Sequence, residues 1–577
     1  VVLPDGRRSW LGSGYDAEGA VPSELAALRA LFARESDEIE RRAPKTMRDV
    51  AGYNLDRLHP DRENLAHLLV GSEGTLAFFS RLRLRLAPLP SRRVLGVCHF
   101  PDLASALSSV QHLVRLGPSA VELVDENVLR LAAANDDFRG AMAGFVRGRP
   151  GALLLVELSS DPGAGSARRS HPPQGPPDTL TWDRLEDGLD ALDDLMAELG
   201  HPGAVVRAVT PAEQAAVWSV RKAGLNIVMS MAGPRKPESF SEDCAVPLEH
   251  LAEYAAGVDE IFRRHDTTGT WYAHASVGCL HVRPALNLKD PDDVGRVRRI
   301  AEETHALVRR LDGTHSGEHG DGILRSEFLE AMRGPRLTRA YQEVKRTFDP
   351  QGMMNPGKIV DPPRMDDPSL FRYKPGYEER PLPVVLDWSA HGGFLGAAER
   401  CNNNGACRKY EPDVMCPSFR VTHDERHSTR GRANALRLAL TGQLGGDGLD
   451  SPEMAEALSL CVSCKACRRE CPAGVDMARM KIEWQHRRNQ REGVAFREKV
   501  LAALPRIAPR VAPAARLLNG LAALPGKGLL GLAPRRRLPR WSVQPWEDRE
   551  LGAAGDDARE ALGGTPPPRA HPEGDRR

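Results

Sequence analysis

The sequence predicts an α+β protein followed by a smaller α-helical, cysteine-rich region, and three observations carry that expectation. Strand-like apolar runs alternate with helical patterns between Val94 and about Pro362. Seven of the ten cysteines crowd between Cys401 and Cys471. The chain has 577 residues, and at roughly 150 residues per domain it has room for three or four domains, so the two regions need not share a core.

Lys+Arg 79 against Asp+Glu 78 leaves a formal charge of +1, which excludes the one-signed field of a nucleic-acid binder. The 53 Gly and 45 Pro lead us to expect many turns and some disordered stretches. Cysteines clustered in a chain too long to need disulfide staples favour metal-type ligation in a reducing compartment. The opening VVLPDGRRSW has no charged run leading into an apolar stretch, so no secretory signal is read. Leu517 to Ala533 is interrupted by Gly520, Pro525 and Gly526, short of the ~20 continuous apolar residues of a membrane span. The expectation is a soluble, cytoplasmic protein, with peripheral attachment to a membrane left open.

In chain order, residues 1–90 close on LAHLLVGSEGTLAFFSRLRLRL, where the alternating Arg/Leu run predicts a strand over Phe78 to Leu86. Residues 91–362 hold the runs VLGVCHF, ALLLVEL and AVVRAV and the helical patterns Asp102 to Leu116 and Asp183 to Leu199. DPGAGSARRSHPPQGPPD, at 161–178, reads as a disordered loop. The Pro-rich passage Asp361 to Pro383 opens a linker, taken as 363–395, to a helical cysteine domain at 396–490. Residues 491–577 read as a tail, disordered from Pro545 onward.

Cys461, Cys464, Cys467 and Cys471, followed by Pro472, give CxxCxxCxxxCP. In this spacing three thiolates hold one iron–sulfur cluster and the fourth reaches another. Zinc is the alternative, although it favours two separated pairs. Upstream, Cys401, Asn404 and Cys407 keep the CxxCxxC spacing with Asn in the middle, and Cys416 with Pro417 supplies the fourth position. By the crossed rule, Cys416, Cys461, Cys464 and Cys467 would hold a complete [4Fe-4S] cluster, and Cys401, Cys407 and Cys471 a second, three-thiolate site. Cys98, Cys244 and Cys279 read as small core residues.

TWYAHASVGCLHVRP, Thr270 to Pro284, reads as two short strands. A turn at Val277 and Gly278 would pair 276 with 279, 275 with 280 and 274 with 281. That would set His274 and His281 directly opposite, with Cβ atoms about 4.5–5.5 Å apart and close enough to share a metal. A longer loop is the alternative, because a type II turn splays a hairpin. In THSGEHGDG, Glu318 and His319 sit among three glycines that permit close backbone approach to a ligand. Two His and a carboxylate leave open metal positions for a substrate, and His319 beside them could act as a base.

With these motifs the chain resembles the flavin-linked D-2-hydroxyacid dehydrogenases that have a vanillyl-alcohol-oxidase-type flavin domain, in the branch fused to a C-terminal iron–sulfur region. The resemblance rests on KTMRDVAGYNL, GSEGTL, HASVGCLHVRP, HSGEHGDG, FDPQGMMNPGKIV, MCPSFRVTHDERHSTRGRANALRLAL and CVSCKACRRECPAGVD, and it covers most of residues 45–480. It implies that 1–90 is the C-terminal part of the FAD domain, that 91–362 is a ferredoxin-like-fold substrate domain, and that a helical ferredoxin-type domain follows.

The resemblance also implies oxidation of a D-2-hydroxyacid such as D-lactate or D-2-hydroxyglutarate. Electrons would pass from FAD to the cluster and on to an external acceptor, whether quinone, cytochrome or flavoprotein. His274, His281 and Glu318 become ligands of a divalent metal, zinc or manganese, with His319 as base and Arg221 as the substrate-carboxylate clamp. Gly71, Ser72, Glu73, Gly74, Asn355 and Lys358 become flavin neighbours. The flavin subdomain with its Gly-rich pyrophosphate segment would lie upstream of Val1, so the chain is expected to be cut at both ends. Two departures stand out: Val277, Gly278 and Cys279 replace the family's frequent Asp-Gly-Asn, and 161–178 matches no family segment. The competing readings are a non-catalytic electron-transfer fragment and a metal-dependent hydrolase. The latter gives the cysteines no purpose. A homo-oligomer is compatible with all of them.

Overall fold

The computed structural model describes residues 1–12, 22–59, 64–86, 89–134, 136–160, 182, 184–229, 231, 233–374, 376–410, 415–446, 448–521 and 540–543. The stretch 161–178 and the tail beyond Pro545, both expected to be disordered, lie outside the described residues. The chain divides into two compact units, Val1–Met480 and Lys481–Arg577.

In the first unit a sheet is built from β1 (Arg93–Phe100), β2 (Ala120–Asp125), β3 (Ala152–Ser159), β4 (Val205–Ala208), β5 (Lys236–Pro237), β6 (Cys244–Ala245), β7 (Gly269–His274) and β8 (Cys279–Leu286). Its order is β4-β1-β3-β2-β7-β8-β5, with β6 also on β8 and every pairing antiparallel. The β4-β1-β3-β2 part, with helices Leu103–Leu113 and Leu185–Glu198 as its two crossovers, is a split βαβ arrangement of the ferredoxin-like kind. Asp102 starts the first crossover by accepting the Ser105 N–H at 2.7 Å.

The unbroken apolar runs of β1 and β3 follow from burial on both faces. Ala152, Leu154, Val156 and Leu158 pack into a core with helices Leu103–Leu113, Leu185–Glu198, Leu251–Arg264 and Pro291–Arg310. Leu153 and Leu155 point the other way, to Val128, Leu129, Phe145, Val217 and Val220. Gly96 makes room on the first face, where a Cβ would come within 2.3 Å of the Leu192 side chain and force it to shift.

The first ninety residues do not close on themselves. Leu25, Leu28 and Leu31 of helix Pro22–Arg42, with Leu65, Leu68 and Leu76, share one core with Leu337, Tyr341, Val344 and Phe348 of helix Leu329–Phe348 and with Ile359 and Val360. The strand expected over Phe78 to Leu86 does not form. Phe78 makes an isolated bridge with Val2, and residues 81–86 run unpaired with Leu82, Leu84 and Leu86 exposed. Alternation marks a segment able to be a strand, but a strand also needs a neighbour, and none runs beside it among the described residues.

The cysteine region holds short helices at Phe394–Glu399, Pro417–Thr422, Thr429–Leu440 and Pro452–Ser459, packed through buried Leu395, Phe419, Leu436, Leu440 and Leu458. In the second unit the helices Phe496–Val511 and Ala515–Leu521 are described. No described helix is long and apolar enough to cross a membrane.

Candidate functional site

Pairing of β2, β7 and β8 builds one end of the site. Glu122, His274 and Cys279 form one transverse row, and Val124, Tyr272 and His281 the next. The expected pairing of 274 with 281 is therefore displaced by two residues: Ala275–Val277 forms a 3-10 turn closed by Gly278 in the left-handed region. A shift of two preserves the face. His274 and His281 lie diagonally on one side with ring centroids 5.2 Å apart. Gly278 is obligatory here, since its φ is +75° and a Cβ would stand 2.2 Å from the Val246 carbonyl oxygen.

The glycine-rich loop is strapped across this face by Asp243. The Asp243 carboxylate accepts the N–H of Glu318 at 3.1 Å and of His319 at 2.8 Å, while its carbonyl accepts the Gly317 N–H at 2.8 Å. Gly317 permits the approach, because a Cβ would meet Cys279 Sγ at 3.0 Å. As a result Glu318 Oε1 stands 3.2 Å from His274 Nε2, 3.4 Å from His281 Nε2 and 3.6 Å from His319 Nε2. The His319 ring stacks on His281 at 5.0 Å. Arg48 Nη1 donates to Glu318 Oε2 at 3.2 Å. The hydrogen bond with His281 and the facing imidazole and guanidinium groups hold the Glu318 carboxyl down at about 2 despite its burial.

Carboxylates stand behind two of the imidazoles. Glu122 Oε1 lies 2.7 Å from His274 Nδ1, which fixes Nε2 toward Glu318. Glu242 lies 3.6 Å from His319 Nδ1, and this facing carboxylate raises the pKa of that imidazole. Burial alone would push the Glu242 carboxyl up, but His319 and Arg283 together hold it below the usual range. Neither glutamate was found by sequence reasoning. Asp243, Cys279, His281 and Glu318 form a compact donor group whose ligand atoms lie within 4.8 Å of one another. Cys279 is fully buried and burial raises its thiol pKa, as expected of a core cysteine. The donor set of imidazoles and carboxylate, with three Nε2 atoms grouped around one carboxylate oxygen, has the chemistry of a divalent-cation site.

Arg221, on helix Pro211–Met229, meets Glu122 at 2.7 Å and lies over the Tyr272 ring at 5.1 Å. Its Nε is buried without a partner. Glu73 reaches the far end of the same loop, where its carboxylate accepts the N–H of Asp321 at 2.6 Å and of Gly322 at 3.0 Å. Asn355 Nδ2 donates to the Glu73 carbonyl at 2.6 Å. Gly71 and Gly74 are left-handed and Ser72 is buried. Lys358 stays apart, half-buried and bonded to the Pro356 carbonyl at 3.1 Å. Asp321, another residue not singled out from sequence, accepts the Gly52 N–H at 2.7 Å, and burial pushes its carboxyl up to about 7.

In the cysteine region, Cys416, Cys461, Cys464 and Cys467 line one pocket. Cys416 Sγ accepts the Thr429 N–H at 3.0 Å, and Cys407 Sγ accepts that of Arg430 at 3.4 Å. Ser463 and Lys465 hold positive φ, bending the CxxCxxC loop around the pocket. Cys401 lies in electrostatic reach of Cys471 and Cys407. Asn404, in the slot where a thiolate would stand, is exposed and accepts the Ala406 N–H at 2.8 Å.

Residues 89–359 match the family of FAD linked oxidases, C-terminal domain, and residues 397–475 match the 4Fe-4S dicluster domain. The chain thus carries an FAD linked oxidase C-terminal domain followed by a 4Fe-4S dicluster domain. It is similar to the D-2-hydroxyglutarate dehydrogenases of Escherichia coli (30% identical, 82% of this chain, 49% of that protein) and Pseudomonas putida (30%, 88% and 52%). It is also similar to the mitochondrial D-lactate dehydrogenase [cytochrome] of Arabidopsis thaliana (27% identical, 60% of this chain, 53% of that protein). The chain thus spans about half the length of the curated relatives it matches. Among solved structures, p-cresol methylhydroxylase with substrate bound aligns at a TM-score of 0.33 with 12% identity, over 48% of this chain and 54% of that one.

Proposed function

We propose that this chain supplies the substrate-binding and electron-exit portions of an FAD-dependent D-2-hydroxyacid dehydrogenase. The observation that carries the reading is the convergence of His274, His281 and His319 on the Glu318 carboxylate. His274, His281 and Glu318 would hold a divalent metal, zinc or manganese, which when bound supplies a Lewis acid for the hydroxyl and carboxylate of the substrate. FAD, when bound, supplies the two-electron acceptor for the α-hydrogen, and the cysteine domain the one-electron carrier beyond it.

The residues of the chain do the rest. His319 accepts the hydroxyl proton at its imidazole, and the buried Glu242 beside it stabilises the cation that forms. Glu122 keeps His274 in the tautomer with Nε2 unprotonated. Arg221 offers its unpartnered Nε to a substrate carboxylate, with Nη2 anchored on Glu122. Glu73, Asn355 and the backbone around Gly71, Ser72 and Gly74 fix the loop edge that would face the flavin. Cys416, Cys461, Cys464 and Cys467 would ligate a [4Fe-4S] cluster, and Cys401, Cys407 and Cys471 an incomplete second site. An external quinone, cytochrome or flavoprotein would take the electrons.

The test is spectroscopic. Flavin bound to the protein should bleach on anaerobic addition of D-2-hydroxyglutarate or D-lactate and not of the L-enantiomer. An unbleached flavin in metal-loaded protein rejects the reading in favour of a non-catalytic electron carrier.

A further inference from the structure

We propose that Arg432 is the buried counter-charge of the iron–sulfur cluster and holds its reduction potential up. The inference rests on the assignment of Cys416, Cys461, Cys464 and Cys467 as ligands and adds to it a residue that sets what the cluster can do.

Arg432 lies on helix Thr429–Leu440 and is only 2% exposed, one of the largest buried side chains of the molecule. Its guanidinium is pinned at two points, Nε on the Ala457 carbonyl at 2.6 Å and Nη2 on Ser418 Oγ at 3.0 Å. It lines the same pocket as the four cysteines. It forms no ion pair with a carboxylate among the described residues, and the ionisable groups facing it are Cys461, Cys416, Cys467 and Cys407. A buried cation with no carboxylate beside it is strongly disfavoured. Protonated thiols cannot offset that cost, but a cluster held by four thiolates carries net negative charge and can.

The same geometry fixes the sign of the effect. Reduction brings one electron into the cluster, needs no proton, and makes the cluster one unit more negative. A guanidinium tied at both ends cannot swing away as that charge changes, so it favours the reduced state and raises the potential. Lys465, Arg468 and Arg469, the other basic residues of the cysteine motif, are exposed, and water and salt screen them. Arg432 alone among these four acts from inside.

The experiment uses the full chain purified anaerobically, with iron and sulfide analysis and a reductive titration followed by electron paramagnetic resonance. Arg432→Gln should keep its iron, and its reduced-to-oxidised ratio at a fixed potential should fall tenfold or more, a drop of about 59 mV per decade for one electron. Arg432→Lys should recover most of the shift. Lys465→Gln should move the midpoint far less. An Arg432→Gln midpoint no lower than that of Lys465→Gln overturns the proposal, as does an equal shift in the Gln and Lys variants. If Gln abolishes iron binding while Lys keeps it, the requirement for positive charge stands. If both lose iron alike, the role is shape and the proposal fails. A wild-type chain without cluster iron strikes at the ligand assignment itself, a result distinct from all of these.

Discussion

Around Glu318, most basic groups meet acidic ones: Glu122 behind His274, Glu242 behind His319, Arg48 on Glu318 itself, with His281 Nδ1 the buried exception. Around the cysteine pocket the sulfurs meet backbone N–H groups, a threonine hydroxyl and the buried Arg432 guanidinium. A centre made of opposed charges largely satisfies itself before any ligand arrives. A pocket of neutral thiols around a buried cation is completed only by an anionic occupant. The histidine–carboxylate centre should therefore keep its geometry empty and respond to substitutions in graded steps, whereas the cysteine pocket should respond nearly all-or-none.

The largest expected effect is at the pocket. Cys464→Ser should remove most of the iron of the principal cluster, read as iron and acid-labile sulfide per chain. Unchanged iron would end the assignment of CxxCxxCxxxCP as its seat. Next, His319→Ala should lower turnover by roughly 10²- to 10⁴-fold while leaving substrate binding in place, measured with flavin bound. A few-fold change would show that another group takes the proton.

Smaller again, Glu122→Gln should weaken divalent-metal binding by about 10- to 100-fold without abolishing it, as for other groups that orient a ligating imidazole. Equilibrium dialysis against zinc decides this, and complete loss would mean that the centre is not preformed. Gly278→Ala should cost roughly 1–3 kcal/mol in denaturant unfolding, because it forces a side chain into the left-handed region; the close approach to the Val246 carbonyl adds to the strain.

The smallest effect is a control outside both sites. Arg298 and then Arg364 hold Asp366 well below the usual carboxylate range. A depressed carboxylate contributes stability above its unfolded value, near 3.9, and loses it as pH falls through the folded one. Asp366→Asn should therefore cost about 1 kcal/mol at pH 7, and the cost should shrink below about pH 4. A cost that is constant with pH would trace to packing instead.

Much of the site was legible because its residues are close in sequence. HSGEHGDG and HASVGCLH carry their own glycines, and parity along a strand puts His274 and His281 on one face whether the turn has two residues or four. The register itself was not legible, because Gly278 suits either a turn position or a 3-10 cap. Glu122 was out of reach: it is 152 positions from His274 and becomes its neighbour only when β2 pairs with β7. Glu242 likewise sits in a segment without a motif. The Arg/Leu alternation at 81–86 misled for the complementary reason, since periodicity reports a residue's two faces and says nothing of who stands alongside.

One packing feature bears on how the chain is made. Leu28, Leu31, Leu68 and Leu76 bury themselves against Leu337, Tyr341 and Phe348, so this apolar cluster must wait for about 250 further residues before its partner exists, a long loop to close. During translation that cluster stands open to water and to other chains. The sheet of residues 93–286, whose strands all pair within that span, can be complete first. The segment ahead of the sheet then docks after it, onto a helix that the ribosome supplies later, and until then its apolar surface is open to aggregation or to a chaperone.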